Sequence, residues 1–254
     1  MILTFLGTGT SQGVPVIGCQ CEVCQSLDYR DQRLRTSAHL QINGKSIIID
    51  SGPDFRQQVL RERINRLDAL LFTHEHKDHT SGLDDIRAYN FLQHSDMPLY
   101  GEPRVLQQIK TEFSYIFSGA NYPGIPRVNL MPISEAGFTV EGVFFQPIRI
   151  QHYKLPILGF RVGNLSYITD ANFISEASKE IIKGSEIIVL NALRREPHIS
   201  HFSLPEAVEL LHELQPQKAY LTHISHLLGL HREVEIELPD FIRLAYDGLK
   251  IEFS

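Results

Sequence analysis

Thr73-His74-Glu75-His76-Lys77-Asp78-His79 is the stretch of this sequence that determines its fold. Three histidines and an aspartate fall within six residues, directly after the apolar run Ala69–Phe72. Imidazole nitrogens bind zinc, manganese or iron, and a carboxylate adds a hard, negatively charged oxygen. Because alternate side chains of an extended backbone share a face, His74 and His76 can bind one ion. Asp78 and His79 follow a turn and can reach a second ion. A solvated polar loop is the alternative, but so many ligands beside a buried strand are costly without a metal.

This motif, followed by Gly82, resembles the signature of the metallo-β-lactamase-fold hydrolases. The resemblance implies an α/β fold, a four-layer αββα sandwich with metals at one edge of its two sheets. It also implies three ligands from later loops: a lone histidine, a bridging aspartate and a histidine near the C-terminus. The matching positions each stand where an apolar run stops: His152 after Val143–Ile150, Asp170 after Leu165–Ile168, and His223 after Lys218–Tyr220.

A second group of metal-capable residues is the motif Cys19-Gln20-Cys21-Glu22-Val23-Cys24, which holds all the cysteines of the chain. Their odd count does not suit disulfides. A tetrahedral zinc site takes thiolates at short spacing plus a distant histidine. His226, three residues after His223, is the predicted fourth ligand. Reduced thiols in a loop are the alternative.

The N-terminal segment Leu6–Pro15 is rich in glycine, but its spacing does not match a dinucleotide-binding loop. Together with the cysteine motif and Thr222-His223-x-x-His226, this segment resembles the PhnP branch of the superfamily. That branch contains the phosphoribosyl cyclic phosphate phosphodiesterase of phosphonate degradation. A cofactor-biosynthesis protein of the superfamily carries a similar cysteine motif, so the motif indicates a branch rather than a substrate.

Composition predicts one domain over residues 1–254, with 43% hydrophobic residues and no linker. The net charge is −6 and no basic cluster is present, which disfavours a nucleic-acid partner. No apolar run approaches 18 residues, so we expect no membrane partner. Met1 leads into the apolar Ile2–Leu6 without a basic region, which predicts a cytoplasmic protein without a signal peptide. A homodimer is compatible with the sequence.

Apolar runs and helix-forming composition outline the secondary structure. Buried strands are predicted at Ser46–Ile49, Asp68–Phe72 and Glu186–Leu190, helices at Pro53–Ile64, Pro103–Phe117 and Leu204–Leu214, and a loop at Ser118–Pro132. Ser203 and Glu206 have the spacing of a helix-capping pair. We also expect Asp50 to support the ligand loop by hydrogen bonds or to be a simple turn residue.

The predicted cofactors are two divalent ions, zinc or manganese, in the active site and one structural zinc. The first ion would be bound by His74, His76 and His152, and the second by Asp78, His79 and His223, with Asp170 bridging. Two such ions lie about 3.5–4 Å apart and lower the pKa of a shared water to about 7.

His201 is the candidate general acid, since His-x-Ser resembles a superfamily phosphodiesterase motif, and His198 is its competitor. We count His201 and Asp78 as catalytic.

These residues predict a dinuclear metal-dependent phosphodiesterase whose partner is a small, cyclic or linear, sugar or nucleotide phosphodiester. A lactone or other ester hydrolase on the same site is one alternative, and a nuclease that processes tRNA 3′ ends is another. A non-catalytic metal protein of cofactor biosynthesis is the third, although a binding protein does not need an open two-metal centre.

Overall fold

The computed structural model describes residues 1–119 and 123–254. The described residues contain fourteen strands: β1 Ile2–Gly7, β2 Ser37–Ile42, β3 Lys45–Ile49, β4 Ala69–Leu71, β5 Met97–Gly101, β6 Val128–Pro132, β7 Phe138–Val140, β8 Val143–His152, β9 Leu155–Val162, β10 Leu165–Tyr167, β11 Ile187–Asn191, β12 Lys218–Thr222, β13 Ile242–Leu244 and β14 Lys250–Glu252. The α-helices of the same ranges are α1 Phe55–Arg61, α2 Lys77–Thr80, α3 Arg87–Gln93, α4 Pro103–Glu112, α5 Glu176–Ile182, α6 Leu204–Leu214 and α7 His231–Glu237.

The described strands form two mixed sheets of seven strands each, in the orders β14-β1-β2-β3-β4-β5-β6 and β13-β12-β11-β10-β9-β8-β7. In the first sheet β1, β2 and β3 are antiparallel, and β3 to β6 are parallel. In the second sheet β8, β9 and β10 are antiparallel, and β10 to β13 are parallel. The two halves of the chain therefore repeat one pattern, an antiparallel meander that continues into parallel strands.

Three apolar clusters show how these sheets are layered. The central cluster contains side chains of both sheets, among them Phe5 and Leu40 from the first and Phe145 and Phe160 from the second, so the sheets pack face to face. A second cluster joins the outer face of the second sheet to α5, α6 and α7. A third joins the outer face of the first sheet to α1, α3 and α4. The result is the four-layer αββα sandwich that the sequence predicts.

The three predicted strands are confirmed as β3, β4 and β11, and α6 has the predicted bounds. The backbone N–H of Ser203 donates to Glu206 Oε2 at 2.8 Å, at the start of α6. The loop predicted over Ser118–Pro132 is partly wrong, because Val128–Pro132 forms edge strand β6 beside β5. Residues 120–122 of that prediction lie outside the described residues.

No helix in the described part of the chain is long and apolar enough to cross a bilayer.

Strand direction brings the predicted ligands to one edge of the sandwich. His74, Asp170 and His223 follow the carboxyl ends of β4, β10 and β12, and β8 ends at His152. Backbone hydrogen bonds join the two sheets at this edge, from Leu158 N to Thr73 O at 3.1 Å and from Ile224 N to Thr8 O at 2.8 Å. Side chains that are far apart in sequence therefore meet in one cleft.

Candidate metal centre

The loop after β4 turns into the four-residue helix α2, which holds Asp78 and His79. It packs tightly on the loop after β3, because Ser51 N donates to His79 O and Gly82 N donates to Ser51 O, both at 2.8 Å. A Cβ at Gly82 would lie 2.1 Å from Gly52 O, and a Cβ at Gly52 would lie 2.0 Å from Asp78 O. Only glycine permits this approach, which explains the glycine three residues after the motif.

The first group of ligand atoms comes from His74, His76 and His152, whose ligand atoms all lie within 4.8 Å of one another. His74 Nε2 is 3.0 Å from His76 Nδ1. The other ring nitrogen of His74 contacts Thr73 Oγ1 at 2.9 Å. Nδ1 of His152 lies 2.8 Å from Asp170 O and 3.0 Å from Ser200 O, so its Nε2 is left for a ligand. Burial lowers the pKa of both His74 and His76, which favours the neutral form that binds metals.

The second group consists of Asp78, His79, Asp170 and His223, again with ligand atoms within 4.8 Å of one another. His79 Nε2 lies 3.3 Å from Asp78 Oδ2 and 3.4 Å from Asp170 Oδ2. His223 Nε2 lies 3.0 Å from Asp170 Oδ1. Asp170 also belongs to a third group with His152 and His201, so it stands between the two ends of the cleft, as a bridging ligand would.

The contacts of this second group suit a bound cation better than hydrogen bonds. Nε2 of His79 and both ring nitrogens of His223 are buried and have no hydrogen-bond partner of acceptable geometry among the described residues. Ligands of one tetrahedral zinc, each about 2.0–2.2 Å from it, stand about 3.3–3.6 Å apart. The observed nitrogen–oxygen separations of 3.0–3.4 Å are close to this spacing. The donor set therefore fits a divalent metal.

Charge leads to the same conclusion. Asp50, Asp78 and Asp170 are largely buried, and no Lys or Arg of residues 1–119 and 123–254 forms an ion pair with them. Burial lowers the pKa of His79, but Asp170, Asp78 and Asp50 outweigh it and raise the pKa well above its ordinary value. Burial raises the pKa of Asp78 and Asp170, but neighbouring histidines hold both below the ordinary range. Three buried carboxylates around one histidine require positive charge, which divalent ions would supply.

Asp50 orients the ligand loop through hydrogen bonds, which is one of the two roles that the sequence predicts for it. Its carboxylate accepts from Thr73 N at 2.9 Å and Thr73 Oγ1 at 2.8 Å, and lies 2.7 Å from His79 Nδ1. Asp50, Asp170 and His223 all have positive φ, of 63°, 61° and 53°. Such strain at non-glycine residues persists where the surrounding structure holds it, often at functional sites.

The sequence did not predict two asparagines that hold the loop of Asp170. The side chain of Asn191, at the end of β11, accepts from Ala171 N at 2.7 Å and donates to Ala171 O at 2.9 Å. Asn172 Oδ1 accepts from Tyr153 N at 2.6 Å. The sequence offers only one sign of these roles, which is an asparagine at or just after the end of an apolar strand. This sign does not identify the hydrogen-bond partner of either asparagine.

His201, rather than His198, is placed among the predicted ligands. Its Nε2 lies 3.3 Å from Asp170 Oδ1, and its ring stacks on that of His223 with centroids 4.7 Å apart. His198 contacts the outer side of His201, with 3.2 Å between the Nδ1 atoms. The other histidines, which fit no motif, lie elsewhere. His39 contacts Ser46, and His231 contacts Arg33.

The cysteine motif and His226 form a separate cluster whose ligand atoms lie within 4.8 Å of one another. His226 Nδ1 is 3.4 Å from Cys19 Sγ and 3.3 Å from Cys21 Sγ. The backbone N–H of Cys24, followed by His226, lowers the pKa of Cys21 to about 6, which favours the thiolate. Three sulfurs and one imidazole in this arrangement fit a closed structural zinc site. The ligand roles of these residues, like those in the cleft, remain predictions.

Comparison with known proteins identifies the family. The family described as Beta-lactamase superfamily domain matches residues 45–224. A solved structure titled as a new diphosphatase from the PhnP family is 41% identical, has a TM-score of 0.94, and is aligned over 100% of this chain and 98% of its own. This chain belongs to the PhnP family of the β-lactamase superfamily. It has the metallo-β-lactamase fold, and the donor clusters described above support a metal-dependent hydrolase.

Two further relatives broaden this picture. A protein named octanoyltransferase from Porphyromonas gingivalis is 40% identical over 248 residues, which are 96% of this chain and 50% of that protein. A ribonuclease Z from Halalkalibacterium halodurans is 27% identical over 164 residues, covering 62% of this chain and 47% of its own. This chain spans about half the length of the curated relatives it matches. The activities of those whole proteins therefore do not transfer to it by identity alone.

Replacing Asp170 with alanine is expected to abolish hydrolysis and to lower the amount of bound metal, because Asp170 belongs to the second donor group and also lies beside His152 of the first. Metal analysis and turnover of bis(p-nitrophenyl) phosphate with added Mn²⁺ or Zn²⁺ are the measurements. Asp240→Ala, at an exposed aspartate, is the matched control. Full activity with two equivalents of metal in Asp170→Ala would contradict the bridging assignment.

Asp50→Asn keeps the size of the side chain but replaces one accepting oxygen with a donor, so it can no longer accept from both Thr73 and His79. Loss of such an orienting partner typically weakens metal binding about 10–100-fold. We expect that loss in a competition titration against a chelator. An unchanged metal affinity would show that Asp50 is only a turn residue.

Cys21→Ser is expected to release one tightly bound zinc and to lower the thermal midpoint by roughly 5 °C or more, because a structural zinc stabilises the fold directly. Gln20→Ser, in the same loop, controls for the introduced serine. Metals in the cleft should be retained. Wild-type protein with no zinc beyond the active-site ions would exclude this site.

Proposed function

We propose that this chain is a dinuclear metal-dependent phosphodiesterase that hydrolyses a small sugar or nucleotide phosphodiester, cyclic or linear. The observation that carries the proposal is that two donor groups are linked: Asp170 belongs to the group of Asp78, His79 and His223 and also lies beside His152, which belongs to the group of His74 and His76. One group alone would suit a single ion. Two groups that a carboxylate lies between suit two ions, which is the arrangement of many phosphoryl-transfer sites.

The first ion would be held by His74, His76 and His152, and the second by Asp78, His79 and His223, with Asp170 shared. Bound at these positions, divalent ions would lower the pKa of water and neutralise negative charge on phosphoryl oxygens. The chain's own residues fix the ligands: Asp50 holds His79, and two backbone carbonyls hold Nδ1 of His152. Preorganised ligands of this kind do not have to rearrange during the reaction.

His201 would donate a proton to the leaving oxygen. Its side chain is mostly buried, and burial lowers its pKa to about 4. An anionic phosphate in the cleft would raise this pKa again, because a nearby negative charge favours the imidazolium. His198 and Ser200 contact Nδ1 of His201, at 3.2 Å and 3.0 Å, and hold the ring in the cleft. His201 is therefore placed to carry a proton between the cleft and these outer residues.

A diphosphate substrate is a second candidate, favoured by the 41% identity to the PhnP-family diphosphatase. Both substrates present a phosphoryl group with two oxygen substituents, so the same ligands serve either reaction. They differ in the leaving group, because a departing phosphate needs less protonation than an alkoxide. Because this chain is also similar to a ribonuclease Z, processing of tRNA is an alternative function. The net charge of −6 disfavours such a polyanionic substrate. Lactone hydrolysis and a non-catalytic role have no comparable support in this cleft.

A substrate panel separates these candidates. Metal-loaded protein would be given a cyclic nucleotide, a dinucleoside monophosphate, a dinucleoside diphosphate, a phosphate monoester, a lactone and a tRNA precursor. We expect turnover of the diesters well above that of the monoester and the lactone, because paired cations match one negative charge and a monoester stays bound as product. Lactone turnover without measurable diester turnover would contradict the proposal, and preference for the diphosphate would select the second candidate.

His201→Ala tests the acid role through leaving-group dependence. General-acid catalysis typically contributes about 10²–10⁴-fold. Hydrolysis of a dinucleoside monophosphate, whose leaving group is a poor alkoxide, should slow by that factor. Release of p-nitrophenolate from bis(p-nitrophenyl) phosphate should slow far less, because this leaving group needs little protonation.

His212→Ala is the matched control for this experiment, since it removes an exposed histidine of α6 that belongs to none of the donor groups of the cleft. Metal content should be equal in both variants and the wild type. Equal losses on the two substrates in His201→Ala would reject the acid role and leave His201 as a support for the ligands.

A further inference from the structure

A strained two-residue turn stands directly beside the metal centre. Tyr153 and Lys154 connect β8 to β9, and the residues on either side of them, His152 and Leu155, pair with each other. Tyr153 has a φ of +56°, a region that bulky side chains rarely adopt. The turn therefore keeps an aromatic side chain at the first residue after a predicted ligand, at a cost in backbone strain.

Asn172 holds this turn in place. Its Oδ1 accepts from Tyr153 N at 2.6 Å, and its Nδ2 donates to Ile199 O at 3.1 Å. The backbone around Asn172 pairs with β8, since Asn172 N donates to Gln151 O at 2.9 Å and Gln151 N donates to Phe173 O at 3.0 Å. Asn172 thus joins three segments of the chain: the turn after His152, the loop after Asp170 and the loop before His201.

Each of these segments carries one apolar side chain that is exposed to solvent within three residues of a predicted site residue. Tyr153 is 49% exposed, Phe173 is 57% exposed and Ile199 is 65% exposed. The ammonium of Lys154 lies 5.3 Å from the centroid of the Tyr153 ring. Lys154 is exposed and forms no ion pair with a carboxylate in the described ranges. We name Tyr153, Lys154, Phe173 and Ile199 the aromatic rim.

Exposed aromatic rings beside a phosphate-binding site suit a ligand that carries both a flat ring system and a phosphate. Nucleobases stack on aromatic side chains whatever their sequence, and a lysine ammonium attracts phosphate. Because the ammonium covers one face of the Tyr153 ring, a base would stack on the other face. Building on the phosphodiesterase activity proposed above, we propose that the aromatic rim binds the base of a small nucleotide substrate.

The rim is too short to follow a nucleic acid. Proteins that bind single strands combine several aromatic platforms with a basic groove along the backbone. Here Lys154 is the one cation of the rim, and the chain carries 30 acidic against 24 basic residues. The expected ligand is therefore one nucleoside joined to the reacting phosphate.

Two model substrates isolate this contact. Thymidine 5′-(p-nitrophenyl phosphate) and methyl p-nitrophenyl phosphate share the diester and the leaving group and differ in the nucleoside. Wild-type protein should show the lower KM for the thymidine compound. Tyr153→Ala should raise that KM by roughly 5- to 150-fold, the range measured for loss of one stacked base, with little change in kcat. The kinetic constants for the methyl compound should not change.

Phe144→Ala is the matched control, because Phe144 is 58% exposed near the start of β8, far from its His152 end. Phe173→Ala provides a second variant should Tyr153→Ala misfold, and metal content is measured for each. Calorimetric titration of the metal-loaded protein with thymidine 5′-monophosphate gives a readout besides turnover, and its Kd should rise in both rim variants.

The outcomes separate this inference from the phosphodiesterase proposal. Equal KM values for the two substrates, unchanged by Tyr153→Ala, would reject the rim as a base site while the phosphodiesterase proposal stands. Absence of turnover on both substrates would reject the phosphodiesterase proposal, and the titration alone would then decide base binding. A larger loss for an oligonucleotide than for the thymidine compound would overturn the small-nucleotide assignment.

Discussion

The burial of three aspartates around His79 is the constraint on which this site depends. Asp50, Asp78 and Asp170 are largely removed from water, and histidines are their only ion-pair partners within residues 1–119 and 123–254. Unpaired buried carboxylates are costly, and one imidazolium cannot balance three of them. Burial disfavours the charged form of His79 as well, and only the surrounding carboxylates raise its pKa above the ordinary value. Divalent ions resolve this conflict, since neutral imidazoles and ionised carboxylates are the forms that metals bind.

The sandwich fold supplies the geometry that this charge arrangement requires. Each sheet ends its parallel strands at the same edge, so loops from both halves of the chain converge there. Short backbone contacts lock the loops together, and Gly52 and Gly82 allow two of them to touch. Side chains on such loops move little once the loops are fixed. The strained φ values of Asp50, Asp170 and His223 are tolerated for the same reason.

The cysteine cluster extends this organisation toward the N-terminal loop. His226 follows His223 by three residues, so one loop after β12 carries a residue of each predicted metal site. A small apolar cluster of Val14, Val23, Cys24 and Leu230 packs beside the sulfurs. The long segment between β1 and β2 has no strand or α-helix of its own. A closed zinc site would order it and, through the shared loop, support the position of His223.

The sequence by itself indicated the family and predicted the ligand types, because His74-x-His76-x-Asp78-His79 is a local pattern whose spacing sets which side chains can meet. The order of His152, Asp170 and His223 completed that set only through resemblance, since no local rule brings residues so far apart together. Buried strands and α6 were also predictable, as apolar runs and capping residues act over a few positions.

The tertiary structure alone decided which residues surround those ligands. Asp50 reaches His79 across two loops, Asn172 ties Tyr153 to Ile199, and His201 rather than His198 faces Asp170. Edge strand β6 was likewise missed, because it ends a segment rich in glycine, proline and asparagine and forms a strand only by pairing with β5. Each of these outcomes depends on contacts between segments distant in sequence. Their free energy comes from packing and hydrogen bonding in the folded chain, which local propensity does not contain.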